Sequence, residues 1–205
     1  MNDNLALEKK ILEQKRKDIL NEVEQKKRYQ EEIQKKLISV TKEAKGSYSQ
    51  EKENTEKIYM LLKKEIENYE EALKNPYFGR VDFDEKFGSQ EKIYIGKKGI
   101  TSTYDGEEIV VDWRAPVADL YYSGTGGEAY YKAPMGVVEG DLNLKRKFLY
   151  NEENLSKIFD EATNEIIING EEGEGLVDEF LKINLEESRG KKLKEVVATI
   201  QKEQN

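Results

Sequence analysis

The sequence contains no cysteine and no histidine. Thiol nucleophiles, disulfide bonds, zinc sites built from Cys and His, and mechanisms that need an imidazole base are therefore excluded for this chain. No apolar run approaches the ~20 residues that span a bilayer, and the N-terminal residues MNDNLALEKK lack the layout of a secretory signal. We therefore expect a cytoplasmic protein without a membrane segment.

Glycine and proline are absent from the start of the chain, where the first glycine is Gly46 and the first proline is Pro76. Apolar residues there recur every seven positions, with Lys26 at the one interrupted position, which predicts one long helix. The series is Leu5, Leu12, Ile19, Ile33 and Val40. A second helix is predicted after the serines of KGSYSQ, residues 45–50, which can cap its start, and it ends at Asn75-Pro76. Its stripe is Ile58, Leu62, Ile66, Tyr69 and Leu73.

Residues 1–75 thus predict an antiparallel helical hairpin with one narrow apolar seam and a charged exterior. They carry 17 Lys and Arg against 16 Asp and Glu, which leaves 17 of the 34 basic and 26 of the 42 acidic residues, a net charge of −9, in the rest of the chain. This acidic remainder disfavours nucleic-acid binding and favours a protein partner. We expect the hairpin to project as an arm, although a helical pair packed on the body is the open alternative. At ~1.5 Å per residue the first helix is longer, about 60 Å against about 37 Å, so its start should overhang or bend beyond the junction.

The remaining pattern predicts an α+β fold. Residues 76–165 alternate with a period of two or form short apolar runs separated by glycine turns, which predicts an antiparallel sheet whose strands include ADLYY, residues 118–122. Residues 166–205 regain helical spacing, with helices predicted from Gly175 and Lys191. The last helix is still running at Gln204, so we expect the chain to be part of a longer protein.

Three features could carry chemistry. The glycines of GTGG, residues 124–127, lack the Lys-Ser/Thr and the helix that a phosphate loop requires. Asp82, Asp84 and Asp112 could bind a divalent metal, but alternating acids are more typical of the exposed face of a sheet. Neither feature predicts a site.

The stretch DWRAP, residues 112–116, predicts a strand end that turns a corner, because proline cannot continue a central strand. We expect Trp113 to be buried and Arg114 to turn inward and pair with an acid such as Asp112. Loss of Arg114 should then cost a few kcal/mol of stability.

Several long motifs resemble the N-terminal region of the HelD proteins, which are UvrD-like superfamily 1 helicase relatives. They are NPYFGRVDF, YIG, VVDWRAPVADLYY, APMGVVEGDLNLKRKF and the closing VVATIQKEQN. The resemblance covers residues 75–147 and the last ten residues closely. It implies an ATP-driven hydrolase that recycles stalled RNA polymerase, with an arm that enters the polymerase secondary channel and a motor domain that contacts DNA.

The resemblance also implies specific residues. In UvrD-like helicases a glutamine ahead of the Walker A loop reads the adenine edge, and residues 200–204, with Gln204 as that glutamine, match the pattern. ATP and Mg²⁺ are implied for the full-length parent, whereas this chain, which stops before the phosphate loop, is expected to bind neither and to be monomeric. At the arm tip, which is short and mixed in charge, Glu43, Glu51 and Glu53 are the acids close enough to contact polymerase. A Gre-like polymerase factor and a structural coiled-coil module, both without a motor, are the alternatives.

Overall fold

The N-terminal third of the protein is a helical hairpin. The computed structural model describes residues 3–45, 48–162 and 165–169. Helix α1 spans Asp3–Ala44 and helix α2 spans Gln50–Ala72. Ser49 caps α2, since its side chain accepts a hydrogen bond from the backbone N–H of Lys52. The predicted hairpin is confirmed.

The seam between the helices follows the predicted stripes. All five apolar heptad residues of α1 are buried. In α2 the residues Leu62, Ile66 and Tyr69 are buried as predicted, whereas Ile58 is 40% exposed. Lys26, which interrupts the heptad series, lies over the ring of Tyr69 at 5.1 Å and pairs with Glu65 at 3.1 Å. The lysine is accommodated because an aromatic face and a carboxylate both stabilise its charge.

The rest of the described chain forms a sheet. Its strands are β1 (Gly79–Glu85), β2 (Gln90–Gly96), β3 (Ile100–Thr101), β4 (Glu108–Asp112), β5 (Gly127–Ala133), β6 (Gly136–Asn151), β7 (Asn154–Ala162) and β8 (Glu165–Asn169). The strand order is β3-β4-β2-β1-β6-β7-β8, and β5 pairs with the first half of β6. The fold is α+β, as predicted.

The prediction of a purely antiparallel sheet is wrong at one pairing. Strands β2 and β4 are parallel, with Ile95 beside Val111. The chain reverses after β2 and again after β3, so β4 runs in the direction of β2 and lies between β2 and β3. The described sheet is therefore mixed.

The two faces of the sheet bury different elements. One face packs against the helical hairpin through residues such as Tyr94, Phe148 and Ile158. The other face carries Val81, Phe83, Ile93 and similar residues. The alternation of side chains along each strand produces this division, since successive residues point to opposite faces.

The segment ADLYY covers this second face, and its prediction as a strand is wrong. Residues Pro116–Ala118 form a single 3-10 turn, and Asp119–Ser123 form the short helix α3. Proline favours the first turn of a helix because its fixed φ suits it and its missing N–H is not needed there. Leu120 and Tyr121 are buried against the sheet.

The C-terminal part of the chain is described only as far as β8. This strand occupies the first residues of the segment 166–205, in which the sequence predicts helical spacing. The helices predicted from Gly175 and Lys191 lie outside the described residues. Within the described ranges, no helix is both long and apolar enough to cross a membrane.

Candidate functional site: a helical arm and its anchor

The start of α1 is fixed to the sheet through a buried carboxylate. Glu8 is fully buried. Its Oε1 accepts hydrogen bonds from Arg80 Nη1 and Arg146 Nη1, each at 2.6 Å. Its Oε2 accepts a hydrogen bond from the Tyr94 hydroxyl at 3.1 Å. Strands β1, β2 and β6 each contribute one donor, so this residue of the first helix is held by three neighbouring strands.

Each arginine is also held by an acid of the sheet. Arg80 donates from Nε and Nη2 to both oxygens of Asp82, at 2.6 and 2.5 Å. Arg146 makes the same bidentate contact with Asp160, at 2.5 and 2.6 Å. These residues form the anchor cluster: Glu8, Arg80, Asp82, Tyr94, Arg146 and Asp160. Bidentate pairs fix the planes of the two guanidinium groups, and their remaining donors therefore point at Glu8.

The surroundings of the two arginines in the anchor cluster favour their charged form. Burial opposes the charge of Arg80 and Arg146, but hydrogen bonds to Asp82 and Asp160 and the nearby carboxylates outweigh it and raise the pKa of both guanidinium groups. Burial, reinforced by the charge of Glu8, raises the pKa of Tyr94. Tyr94 therefore stays neutral, and its hydroxyl can donate a hydrogen bond to Glu8.

Two basic residues on the next turns of α1 bind backbone carbonyls. Arg16 donates to the carbonyls of Leu73 and Lys74 after α2 and to that of Glu153 in the β6–β7 turn, at 2.9, 2.5 and 2.5 Å. Lys15 donates to the carbonyl of Ile109 at 2.6 Å. Burial lowers the pKa of Lys15, against the opposing effect of two nearby carboxylates. These contacts join both helices to the sheet at the base of the hairpin.

Further along α1, the buried Glu22 binds Thr103. It accepts one hydrogen bond from the backbone N–H of Thr103, at 3.0 Å, and one from the Thr103 hydroxyl.

The core that joins hairpin and sheet includes α1 residues from Leu5 to Val23 and α2 residues from Ile66 to Ala72. We call residues 5–23 and 66–74 the basal half of the hairpin, and residues 24–45 and 48–65 the distal half. From Lys26 to the end of α1 the distal half extends about 27 Å at ~1.5 Å per residue.

The three acids nominated at the tip lie at the far end of this distal half. Glu43 is exposed in the last turn of α1. Glu51 pairs with Lys36 at 3.1 Å. Glu53 pairs with Lys57 at 2.7 Å and accepts a hydrogen bond from a tyrosine hydroxyl, and these contacts lower the pKa of Glu53. Among the described residues, no group of three or more acids is placed to hold a metal ion.

The corner at DWRAP is partly as predicted. Strand β4 ends at Asp112, and Arg114 pairs with Asp112 through its Nε at 2.9 Å, which confirms the turn and the pairing. The predicted burial is wrong, because the Arg114 side chain is 58% exposed and Trp113 is only half-buried. The strand stops one residue before Trp113, so strand alternation no longer directs these side chains inward. An exposed pair contributes less than about 1 kcal/mol, and the expected cost of removing Arg114 falls accordingly.

The other sequence candidates do not form a ligand site in the described part of the chain, although one carboxylate oxygen of Asp84 is buried there without a hydrogen-bond partner. Arg80 occupies both oxygens of Asp82, and Gln90 donates to Asp84 at 3.2 Å. The GTGG segment leads from α3 into a strand rather than into a helix. Gln204 lies outside the described residues.

Sequence reasoning missed Glu8, Arg80 and Arg146. Glu8 looks like one more charge on a polar helix, and its partners are 72 and 138 positions away. The one local signal is Arg80 two residues before Asp82 in GRVDF, since strand alternation places both on one face.

The comparison with protein families matches both halves of the hairpin and the sheet. The family described as "DNA helicase IV HelD, N-terminal domain" matches residues 5–175, which include the anchor cluster and the hairpin from Leu5 onwards. No curated protein matches the chain. The match spans well over half of the 205 residues, and the chain therefore belongs to the family of HelD helicase N-terminal domains.

Proposed function

We propose that this chain is the RNA polymerase-binding portion of a HelD-like, ATP-dependent helicase or translocase that releases stalled polymerase. The observation that carries the proposal is the division of the hairpin. Its basal half is held by the anchor cluster and a shared core, whereas the buried distal residues Ile33, Val40 and Leu62 belong to the helix–helix seam and not to that core. A fixed base with a free end of about 27 Å suits an arm that reaches into a partner.

The charge distribution supports a protein partner. The arm is nearly neutral. Its exposed basic and acidic side chains pair with each other, for example Lys36 with Glu51 and Lys57 with Glu53. Such a surface meets little repulsion from either sign of charge inside a polar channel. The acidic remainder of the chain disfavours binding to a phosphate backbone. We therefore propose that DNA is contacted by the motor domain of the parent protein. We also propose that the parent acts in the cytoplasm.

The nucleotide is also proposed to belong to the parent. ATP and Mg²⁺ bind at a Walker A loop, with Gln204 contacting the adenine. Because phosphate contacts supply most of the affinity at such sites, the chain alone should bind ATP weakly or not at all. Calorimetry with this chain tests the proposal, and micromolar ATP binding would overturn it.

A shortened arm tests the docking role. Deleting Lys36–Lys57 and closing the helices with a short turn removes the tip from both helices and leaves the basal half intact. We expect binding to purified RNA polymerase core enzyme to fall at least tenfold, because the shortened arm no longer reaches as far into its partner and loses part of the distal half. Surface-immobilised polymerase and a titration of the chain measure the affinity.

The matched control is Met135→Ser at the fully exposed tip of the β5–β6 hairpin, which should bind like the wild type. Circular dichroism and urea unfolding establish that the shortened protein keeps its sheet. If the shortened protein binds polymerase with unchanged affinity, the docking role is wrong and a structural helical pair is the better interpretation.

Sequencing the gene downstream of Asn205 for a Walker A loop separates the HelD-like parent from a Gre-like factor without a motor.

A further inference from the structure

The distal half contains an apolar run that the hairpin seam does not explain. Residues 58–62 read Ile-Tyr-Met-Leu-Leu within a helix that is otherwise mostly charged. Only Leu62 is buried in the seam. Consecutive residues of an α-helix point about 100° apart, so five in a row cover its whole circumference. A helix that is apolar all round is normally enclosed by other protein.

The other side chains of this run lie at the surface. Met60 is 66% exposed and Leu61 is 67% exposed. On α1, Ile38 is 51% exposed. Leu37 lines the same shallow depression as Tyr59, Met60 and Leu61. We call this set the apolar collar: Leu37, Ile38, Ile58, Tyr59, Met60 and Leu61.

Charged residues border the collar. Glu53, Glu56, Lys57 and Lys64 line the same depression as Met60. An apolar centre with a charged edge is the usual composition of a protein–protein contact. The two acids and two lysines balance, which disfavours a phosphate backbone or an anionic lipid surface, since both need an excess of basic residues.

The geometry of the collar favours an enclosing partner over a second copy of the chain. A two-fold dimer covers one face of the hairpin, whereas the apolar side chains emerge from both helices and from more than one side of α2. A concave surface that surrounds the arm can cover all of them at once.

We propose that the apolar collar is the principal contact of the arm with RNA polymerase and that a concave, partly apolar protein surface encloses it there. This inference rests on the proposed docking role and adds to it. The contact is assigned to the middle of the distal half, and not to the tip carboxylates Glu43, Glu51 and Glu53, two of which already have lysine partners.

Paired serine variants test the inference. Met60→Ser with Leu61→Ser removes the two most exposed collar residues of the described arm. Leu7→Ser with Leu20→Ser is the matched control, because these two leucines are also exposed but lie in the basal half. We expect the collar variant to bind polymerase core enzyme at least tenfold more weakly, as for central apolar contacts of an interface, and the control to bind within twofold of the wild type.

The outcomes separate the two proposals. If the collar variant binds like the wild type while the shortened arm does not, the collar inference is overturned and the docking role stands. If the wild-type chain does not bind polymerase, both proposals fail. Sedimentation of the free wild type and collar variant examines the alternative occupant: a wild-type dimer that the serine substitutions dissolve would assign the collar to a second copy of the chain.

Discussion

The basal and distal halves of the hairpin have similar sequences and different surroundings. Both have a heptad seam and a charged exterior. In the basal half, charged residues such as Glu8 and Arg16 bind groups of the sheet and its turns. In the distal half, charged residues such as Lys36 and Lys57 pair with carboxylates on the hairpin itself. The same residue types therefore anchor the arm at one end and keep it polar at the other.

This difference shows that a charge pattern on a helix does not reveal which charges will be buried. Glu8 is fully buried and is compensated by two guanidinium groups and a tyrosine hydroxyl. Without those partners its burial would be strongly unfavourable. The anchor cluster thus fixes one orientation of the first helix on the sheet, which an apolar contact alone specifies less strictly.

The largest effect is expected from breaking the anchor. Arg146→Met removes the guanidinium that both Glu8 and Asp160 bind, and should lower the free energy of unfolding by about 3–5 kcal/mol. Arg114→Met is the matched control, because Arg114 pairs with Asp112 at the surface, and it should cost less than about 1 kcal/mol. Urea unfolding followed by circular dichroism measures both. Equal costs would show that burial does not distinguish the two pairs.

A second pair of variants compares the apolar seam in the two halves. Ile19→Ala truncates a fully buried residue in the core shared with the sheet and should lower the free energy of unfolding by about 2–5 kcal/mol. Ile33→Ala truncates a seam residue of the distal half, and its effect on global unfolding should be nearer 1 kcal/mol, because this half can open locally. A larger cost for Ile33 than for Ile19 would contradict the division of the hairpin.

The smallest effect concerns the tyrosines under α1. The hydroxyl of Tyr77 is buried without a hydrogen-bond partner in the described part of the chain, so Tyr77→Phe should stabilise the protein by about 1 kcal/mol at neutral pH. Burial raises the pKa of Tyr77 and of Tyr150. Because the pKa is raised in the folded state, these tyrosines leave the free energy of unfolding independent of pH below pH ~10. As the pH rises above ~10 the free energy of unfolding falls, because the tyrosines then ionise only in the unfolded chain.

Thermal unfolding between pH 8 and 11 measures this effect. Tyr77→Phe should lose less stability above pH 10 than the wild type. The nearly fully exposed Tyr104 provides the control, since Tyr104→Phe should leave the profile unchanged. Identical alkaline profiles for wild type and Tyr77→Phe would contradict the assigned burial.

The local parts of the fold could be predicted from sequence, and the long-range parts could not. The heptad positions Leu5 to Val40 predicted the hairpin because its contacts repeat along one face. ADLYY was predicted as a strand because its apolar residues suit either structure, and the helical start at Pro116 decided the outcome. The anchor cluster escaped prediction because β-sheet pairing brings Arg80 and Arg146 together across 66 residues of chain.

The most direct test of an anchored base and a free, binding distal half is hydrogen–deuterium exchange of this chain, alone and with RNA polymerase core enzyme. In the free protein, we expect slow exchange in residues 5–23 and 66–72 and faster exchange in residues 30–60. With polymerase, exchange should slow in residues 30–60 and stay unchanged in the sheet. Uniform protection of both halves in the free chain, or polymerase-dependent protection confined to the sheet, would contradict the account.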